Sequence, residues 1–305
     1  MAIEKARPTG FGSQLLDRCS FPDTPRVTCA VSGGPDSLAL LVLAVWRGLD
    51  VCAIHVDHGL RPESVAESAV VEAAAERFGA RFESKIVRVD PGPNLEARAR
   101  AARYAVLPDD VLVGHTADDQ AETVLLNLLR GAGAAGLAAI RHDRRPLLGL
   151  RRSETVALCE SLELEVVRDP TNTDPAFRRN RIRHEVIPLL CDVAGRDVVP
   201  ILTRAADLQR DLSDLLGAIA AEVDPTDGAA VAALPPAVAG EVVRRWHRDT
   251  TGASHPPDRA TVQRVLAVAE GRVRGADVGG GWRVERTAGR LRMVRPECSP
   301  ARDDR

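Results

Sequence analysis

Aromatic side chains are scarce in this sequence, where they make up 3% of 305 residues. The hydrophobic core must therefore be built mainly from Ala, Val and Leu, and few rings are left to stack on a ligand, with Tyr104 and Phe177 as the candidates. Lysine is nearly absent, because Lys5 and Lys85 are the only two and every other basic residue is arginine. The formal net charge is only −2, so no overall basic field points to a nucleic-acid partner.

Arginine is nevertheless concentrated in two places, residues 141–152 and residues 178–183. Local patches of this kind can bind phosphate chains even when a protein is close to neutral. As a plain charge run on a helix, such a patch is more often a solvated face. Composition alone therefore leaves the role of both patches open.

Cysteine pairs and long apolar runs are also absent. The six cysteines include no Cys-x-x-Cys pair, and Cys29 and Cys52 lie in apolar runs as small core residues. We therefore expect neither a disulfide framework nor a structural zinc site. No apolar run reaches the length of a membrane span, and the N-terminal residues lack the apolar region of a signal peptide. A cytoplasmic protein with no membrane partner is expected.

The order of hydrophobic patterns predicts an α/β domain over residues 1–194. Strand and helix patterns alternate there, which predicts a doubly wound, mostly parallel sheet with right-handed crossovers. The predicted strands are 26–31, 51–56, 82–89, 111–114 and 165–167, and the predicted helices are 36–46, 63–78, 94–106, 117–129 and 153–162.

A second, mainly helical domain is predicted over residues 195–305. Helical patterns cover 198–223, 235–248 and 260–270, and alternating runs within 279–295 predict a small hairpin with Gly-rich turns. The last ten residues, 296–305, are typical of a disordered tail.

The run 27–40 predicts a phosphate-binding loop, because an apolar strand is followed by two glycines and then by a helix. Backbone N–H groups and the positive end of the helix dipole then meet at one point, where an anion binds favourably. The glycines allow a phosphate to approach the backbone closely, and serines at both ends add hydroxyl donors. The loop consists of Ser32, Gly33, Gly34, Pro35, Asp36 and Ser37.

Two familiar nucleotide-binding motifs do not fit this loop. A Walker loop needs Gly-Lys-Ser/Thr, and neither lysine lies near a glycine loop. The dinucleotide-binding pattern Gly-x-Gly-x-x-Gly is absent as well. A plain glycine turn, with Asp or Ser capping the helix that follows, stays as the alternative to a ligand site.

A second polar constellation begins at Gly114, where the fourth predicted strand ends. Active sites of open α/β sheets lie at such carboxyl ends. Asp119 and Glu122 are three residues apart and share a helix face, and His115 lies four residues before Asp119. Together these side chains could bind Mg²⁺ or a cationic amine. Asp118, in contrast, is predicted to be an ordinary first-turn acid favoured by the helix dipole.

The run 55–60, HVDHGL, also follows a strand. Its two histidines and its aspartate are residue types that bind metals, but no further ligands are apparent. A loop at the edge of the nucleotide site is the better interpretation.

The sequence Ser-Gly-Gly-x-Asp-Ser after a strand resembles the PP-loop of ATP pyrophosphatases, which typically release pyrophosphate and leave AMP on the substrate. Five further motifs narrow this resemblance to tRNA(Ile)-lysidine synthetase over about residues 25–190. These motifs are HVDHGLR (55–61), NLEARARAARY (94–104), GHTADDQAET (114–123), RGAGAAGLAAI (130–140) and TNTDPAFRRNRIRHEVIP (171–188).

The resemblance implies a Rossmann-like PP-loop fold and a reaction that uses ATP, Mg²⁺ and free L-lysine. ATP adenylates the 2-keto oxygen of the wobble cytidine in the CAU anticodon of tRNA(Ile), and the ε-amine of lysine then attacks C2 as AMP leaves. Adenylation turns a very poor leaving group into a good one. The amine must be neutral to attack, so a base or a desolvated pocket is required.

The resemblance also assigns roles to individual residues. Those matched to catalysis are Asp36, His115, Asp119, Glu122 and Arg181, and those matched to Mg²⁺ are Asp36 and Asp119. Those matched to ATP are Ala30, Ser32, Gly33, Gly34, Asp36, Ser37, His55 and Gly114, with Ala30 and His55 near the adenosine. A helix beside the active site is matched by Glu96, Arg100 and Arg103.

Arg181 is the predicted phosphate or transition-state contact of the second arginine patch. Arg179 and Arg183 share a helix face and could simply be solvated, so spacing alone does not decide which of the three faces the site. The first patch, 141–152, is either a surface for the anticodon stem or a flexible basic loop. Domain 195–305 is predicted to bind tRNA.

Rival functions differ in the sequence features that they need. A PP-loop tRNA thiolase generally needs paired cysteines, and an amidotransferase-type synthetase needs a cysteine at the mature N-terminus, whereas this chain begins Met1-Ala2-Ile3. A non-catalytic nucleotide- or RNA-binding protein should lack the acids at 119 and 122, which are present. The sequence leaves open a homodimer, the number of metal ions and the means by which a methionine tRNA with the same anticodon is rejected.

Overall fold

A computed structural model describes residues 8, 10–57, 64–87, 95–167, 174–253 and 255–295. The chain forms two compact units, Met1–Leu208 and Gln209–Arg305. Their division lies within one long helix, later than the boundary after residue 194 that the sequence predicts. The change in sequence pattern near residue 195 marks where that helix begins. It does not show which part of the helix packs with the first unit and which with the second. The predicted tail, 296–305, lies outside the described residues.

The first unit contains four strands, β1 (Arg26–Ala30), β2 (Asp50–Asp57), β3 (Arg81–Ile86) and β4 (Leu112–Val113). They form one parallel sheet in the order β3-β2-β1-β4, which confirms the predicted parallel α/β fold. From β1 the chain proceeds through β2 to β3 on one side, and it later returns to β4 on the other side. The carboxyl ends of β1 and β4 therefore form a topological switch point, where open α/β sheets bind ligands.

The helices of the first unit connect and cover these strands. They are α1 (Phe11–Asp17), α2 (Pro35–Trp46), α3 (Ser64–Phe78), α4 (Leu95–Val106), α5 (Ala117–Leu129), α6 (Ala134–Leu137), α7 (Arg152–Ser161), α8 (Arg178–Arg181) and α9 (Ile187–Ala194), with a π-helical turn at Ile182–Val186 between α8 and α9. Helix α10 (Val199–Ala221) contains the division between the units.

The core of the first unit is formed around helix α2. Its sequence after the first turn is almost entirely apolar, and Leu38–Ala44 is fully buried, as expected for a helix enclosed on all sides. Strands β1 and β2 supply further Val, Ala and Ile side chains. The few aromatic residues contribute at the edge, where the rings of Trp46 and Phe78 meet edge to face at 6.3 Å.

The strand predicted at 165–167 is wrong, because these residues are irregular. The backbone N–H of Val167 donates to the carbonyl of Gly33 instead of to a neighbouring strand. The segment therefore lines the back of the glycine loop. Its apolar residues gave the same local pattern as a short strand.

The second unit combines helices with a three-stranded antiparallel sheet. Beyond α10, its helices are α11 (Gly228–Ala232), α12 (Pro236–Thr251) and α13 (Arg259–Ala269), and its strands are β5 (Gly275–Gly279), β6 (Trp282–Thr287) and β7 (Arg290–Val294). The predicted hairpin corresponds to β6 and β7. Strand β5 was missed because its glycines hide the alternation of Ala276 and Val278, which are buried. Among the described residues, no helix has the length and apolar character needed to cross a membrane.

Candidate active site

The glycine loop closes on itself through its two serines. The backbone N–H of Ser32 donates to the Ser37 hydroxyl oxygen at 3.1 Å, and that hydroxyl donates to the carbonyl of Gly34 at 2.9 Å. Gly33 has φ 83°, and a Cβ there would lie 2.5 Å from a methyl group of Val167. Both the conformation and the space therefore require glycine at this position.

Helix α2 begins at this loop, with Gly34 at the N-cap and Pro35 as its first residue. Within the described part of the chain, no side chain caps the helix, so the alternative of an Asp or Ser cap is not realised. The first turn of α2 thus presents backbone N–H groups and the positive dipole end to a ligand. An anionic group fits this position.

Gly114 brings the end of β4 against the same loop. A Cβ at this residue would lie 2.5 Å from the backbone carbonyl oxygen of Asp36. The two polar constellations of the sequence are therefore in direct contact at the switch point. Glycine is needed here for close approach of two backbones.

Helix α5 positions the acid pair, Asp119 and Glu122, immediately after β4. Thr116 caps the helix, and its N–H and hydroxyl donate to Asp119 Oδ2 at 2.9 and 3.0 Å. The other oxygen of Asp119, Oδ1, and the Glu122 carboxylate bind the same two arginines, Arg152 and Arg179, and the Glu122 side chain is 0% exposed. Asp118 lies outside this pair, in the first turn of α5, and accepts hydrogen bonds from Arg151.

Arg152 joins the acid pair to the glycine loop. Its Nε donates to Asp36 Oδ2 at 3.0 Å, its Nη2 to Asp119 Oδ1 at 2.9 Å and its Nη1 to Glu122 Oε1 at 3.2 Å. One guanidinium therefore bridges three carboxylates from two different helices, α2 and α5. Sequence reasoning missed this residue, and the one available signal was that buried carboxylates need cationic partners.

Two arginines of the second patch complete the cluster. Arg179 donates from Nε to Glu122 Oε2 at 2.6 Å and from Nη2 to Asp119 Oδ1 at 2.9 Å. Arg183 donates from Nε to Glu122 Oε1 at 2.6 Å and from Nη2 to Oε2 at 3.1 Å. Three acids and three arginines thus meet at one place.

The placement predicted for Arg181 is corrected by the structure. Its side chain is 60% exposed and forms an ion pair with Glu185 instead of the acid pair. Arg179 and Arg183 are four residues apart and lie on the face toward α5, whereas Arg181 lies halfway between them and points away. Of these three arginines, the solvated one is therefore Arg181.

Burial and the arginines act in opposite directions on the pKa values of the acids. Burial raises the pKa of Asp36, and this effect outweighs Arg152 and the hydrogen bond from Thr155, which lower it. Burial also opposes ionisation of Asp119, but Arg152 and Arg179 lower its pKa from 3.8 to about 2. Asp119 is therefore an anion at any physiological pH.

His115 lies beside the acid pair and faces a cavity of about 350 Å³. Its Nδ1 accepts a hydrogen bond from Arg145 Nε at 2.8 Å. Four of the eight residues that line the cavity are arginines, and it adjoins the acid pair through one of them, Arg179. Its lining residues are His115, Thr123, Ile140, Arg141, Asp143, Arg144, Arg145 and Arg179.

His55 and Ala30 lie at the carboxyl ends of β2 and β1, beside the glycine loop. His55 is buried, and its Nδ1 lies 3.0 Å from the carbonyl oxygen of Val31. That geometry places the proton on Nδ1 and leaves Nε2 as an acceptor, for which the described residues supply no hydrogen-bond partner. The two residues border the loop as predicted, and their contact with adenosine stays a prediction.

Several predicted residues fall outside what the structure describes. These are residues 58–61 of the second motif, Asn172, and the side chains of Glu96, Arg100 and Arg103. Tyr104 is exposed on α4 and Phe177 is half-buried before α8. Their roles in stacking stay predictions.

Asp36 and Asp119 fit Mg²⁺ by their chemistry, because carboxylate oxygens are the ligands that this ion prefers. The Arg152 guanidinium lies between them and donates to both. An ion could therefore bridge the two acids only after Arg152 moves. Among the described residues, no group of three or more Asp, Glu, His or Cys side chains is arranged as a metal site.

Comparison with solved structures extends the description of the fold. A U34-tRNA thiolase from Methanococcus maripaludis with its [4Fe-4S] cluster superposes with a TM-score of 0.51 over 66% of this chain and 78% of its own. The two sequences are 19% identical, so the likeness shows the fold alone.

Sequence comparisons are more specific. Residues 11–190 match the PP-loop domain family. Three curated relatives carry the name tRNA(Ile)-lysidine synthase. The relative from Nocardia farcinica is 41% identical over 91% of this chain and 94% of its own. The one from Mycobacterium bovis is 43% identical over 79% of each chain, and the one from Mycolicibacterium paratuberculosis is 46% identical over 71% of this chain and 72% of its own. Because the matches cover the loop, the acid pair and most of the remaining chain, the protein belongs to the tRNA(Ile)-lysidine synthase family of PP-loop proteins.

Proposed function

We propose that this protein ligates free L-lysine to C2 of the wobble cytidine in the CAU anticodon of tRNA(Ile), and that it consumes ATP and releases AMP and pyrophosphate. One observation carries the proposal: Arg152 hydrogen-bonds to Asp36 of the nucleotide loop and to Asp119 and Glu122 of the acid pair. Groups suited to a triphosphate and groups suited to an amine therefore share one site. The name of the relatives supports the same reaction.

The first step belongs to the glycine loop. Backbone N–H groups at the start of α2 bind the phosphates of ATP, and Gly33 and Gly34 let the chain approach them. Asp36 and Asp119 would hold Mg²⁺, which neutralises charge on the triphosphate and on the departing pyrophosphate. The cytidine 2-oxygen attacks the α-phosphorus, the bond to pyrophosphate breaks, and AMP stays on that oxygen.

The second step belongs to the acid pair. The ε-amine of lysine is held by Asp119 Oδ1 and Glu122 Oε1, oxygens that bind guanidinium groups in this structure. The amine attacks C2, the bond from C2 to the adenylated oxygen breaks, AMP leaves, and the proton lost by the amine passes to solvent. An ordinary lysine amine has a pKa of about 10.4. Burial lowers that pKa and favours the neutral form that can attack, whereas the two carboxylates raise it and hold the ammonium until its proton leaves.

The cavity beside His115 supports binding of the anticodon nucleotide. Arg141, Arg144 and Arg145 line it, so a base with its phosphate meets positive charge next to the acid pair. The first arginine patch, residues 141–152, thereby has two roles, one at the cavity and one at the carboxylates. Arg151 and Arg152, at its other end, form ion pairs with carboxylates and are not available to the tRNA in this conformation.

The second unit is proposed to bind the tRNA body. Strands β6 and β7 alternate buried Val284 and Leu291 with exposed Arg283, Arg290 and Arg292. A sheet face with several arginines suits a phosphate backbone without base recognition. This contact would add affinity to a chain whose net charge is close to zero.

The test is incorporation of labelled lysine into a CAU-anticodon isoleucine tRNA, with ATP and Mg²⁺ present and a methionine CAU-anticodon tRNA as the negative control. We expect incorporation into the first tRNA alone. Asp119→Asn should lower the rate by about 100-fold or more, because it removes a charge that faces the amine. Asp50→Asn is the matched control, and it should keep activity within a few-fold, because Asp50 pairs with Arg26 at the opposite end of the sheet. No incorporation by the wild-type protein, with a known lysidine synthase active under the same conditions, would contradict the proposal.

A tRNA thiolase is the second candidate, since the fold is shared with one. The sequence has no Cys-x-x-Cys pair. The same tRNA, incubated with ATP and a sulfide source in place of lysine, should gain no sulfur by mass spectrometry. A mass gain that matches sulfur would favour this alternative.

A further inference from the structure

Every oxygen of the acid pair already accepts hydrogen bonds. Glu122 Oε1 is bound by Arg183 and Arg152, and Oε2 by Arg179 and Arg183. Asp119 Oδ1 is bound by Arg152 and Arg179 at 2.9 Å each, whereas Oδ2 is used by Thr116 at the helix cap. A carboxylate oxygen has about two acceptor positions, so the pair is saturated.

An incoming ammonium group therefore cannot bind until a guanidinium leaves. The group has three N–H donors, and the Arg152 guanidinium contacts three acceptors, one oxygen each of Asp36, Asp119 and Glu122. Withdrawal of Arg152 alone would free an acceptor position on Asp119 Oδ1 and one on Glu122 Oε1, the oxygens proposed to hold the amine, and would leave Asp36 available to Mg²⁺. Arg179 and Arg183 would still balance the buried charge of Glu122.

Of the three arginines in the cluster, Arg152 is also the one that contacts the nucleotide loop. It hydrogen-bonds to Asp36, whereas the hydrogen bonds of Arg179 and Arg183 go to the acid pair. Asp36 stands in the first turn of α2, beside the backbone N–H groups suited to phosphate. A triphosphate bound there places several negative charges next to the Arg152 guanidinium, which forms strong bonds to phosphate oxygens.

We propose that Arg152 is a latch on the acid pair: without nucleotide it occupies the position of the lysine amine, and ATP draws it onto the phosphates, so that lysine binds after ATP. This rests on the proposed function. Arg152 thus acts as a positioning residue that couples the two substrates. It also keeps the acids paired, and so closed to other cations, when no nucleotide is present.

The experiment measures lysine binding by isothermal titration calorimetry, with and without the α,β-methylene analogue of ATP and Mg²⁺, in the full-length protein. In the wild-type protein we expect the nucleotide to tighten lysine binding by about 5–150-fold, the usual range of coupling between two sites. In Arg152→Gln, lysine should bind without nucleotide, and the ratio of lysine affinities with and without nucleotide should fall close to one. Arg26→Gln is the matched control, because Arg26 is an exposed arginine paired with Asp50 at the opposite end of β1.

Equal lysine affinity with and without nucleotide in the wild-type protein would overturn the latch, and so would wild-type coupling in Arg152→Gln. The comparison of wild-type lysine affinity with and without nucleotide tests the latch even if Arg152→Gln does not fold. Arg152→Lys is a second variant, because it keeps the charge but cannot bridge three acids. Lysine that binds under neither condition also counts against the latch. The incorporation assay distinguishes failure of the latch from failure of the proposed function. If the protein incorporates lysine into tRNA but nucleotide does not change its affinity for lysine, only the latch is overturned.

Discussion

At the scale of single residues, Glu122 dominates the energetics of the site. Its side chain is fully buried, yet it accepts four hydrogen bonds from three guanidinium groups. Loss of the sole partner of a buried charge costs about 3–5 kcal/mol, and here three guanidinium groups share that compensation. The arginines around it therefore determine both the stability of the site and the availability of its acids.

A comparison within the second arginine patch tests this assignment. Arg179→Gln should lower kcat/KM for lysine incorporation by about 100-fold, since it leaves part of the Glu122 charge unpaired. Arg181→Gln should stay within about twofold of the wild type, because an exposed ion pair such as the one with Glu185 contributes at most about 1 kcal/mol.

Both variants are measured by incorporation kinetics and by thermal unfolding. Each replaces one arginine of the same helix by the same residue, so the pair controls for loss of charge. Equal losses of activity would show that the orientation of this helix is wrong.

At the scale of elements, spacing predicted the acids but not their partners. Asp119 and Glu122 lie on one face of α5, as their separation requires, and their position after β4 follows from the order of strands. The arginines come from later segments whose relation to α5 is tertiary. The spacing of Arg179 and Arg183 placed them on one helix face, but it did not show that this face turns toward α5 while the face with Arg181 turns to solvent. Arg152 stands at the start of α7, where only the fold reveals its reach to Asp36.

The contact of β4 with α2 gives a prediction at this scale. Gly114→Ala places a Cβ 2.5 Å from the backbone carbonyl of Asp36, so the end of β4 must move away from the first turn of α2. We expect ATP-analogue binding, measured by calorimetry, to weaken by at least about tenfold, because the loop loses the geometry that presents its N–H groups.

Gly217→Ala provides the control for this substitution. Gly217 lies within helix α10 and a Cβ there meets nothing within 4 Å, so alanine should stabilise that helix by about 0.5–1 kcal/mol and leave nucleotide binding unchanged. Unchanged nucleotide affinity in Gly114→Ala would argue against contact between the two loops as a requirement for binding.

At the scale of the whole molecule, binding of tRNA must rest on local charge. With a formal net charge of −2, the chain offers no general attraction to RNA, and each phosphate contact comes from an individual arginine. Affinity for tRNA(Ile), measured by filter binding over a range of salt concentrations, should therefore fall steeply with salt. Arg141→Gln and Arg292→Gln should each reduce the slope of log K against log salt by about 1.

Arg26→Gln is the control in this experiment as well, because its side chain pairs with Asp50 at the amino end of the sheet. Its slope should equal that of the wild type. A slope that falls equally in all three variants would indicate nonspecific attraction to the whole surface and would remove the support for the cavity and the β6–β7 face as tRNA contacts.

The order of charges along the chain has a consequence for synthesis on the ribosome. Asp36, Asp119 and Glu122 emerge before Arg152, Arg179 and Arg183, and all four strands of the first sheet precede the first of these arginines. N-terminal segments fold first as translation proceeds at about 5–20 residues per second. A nascent chain that ends before residue 152 can thus form the sheet and the glycine loop while its acids have none of the three arginine partners, so the charges of the active site stay uncompensated after the strands around them have been made.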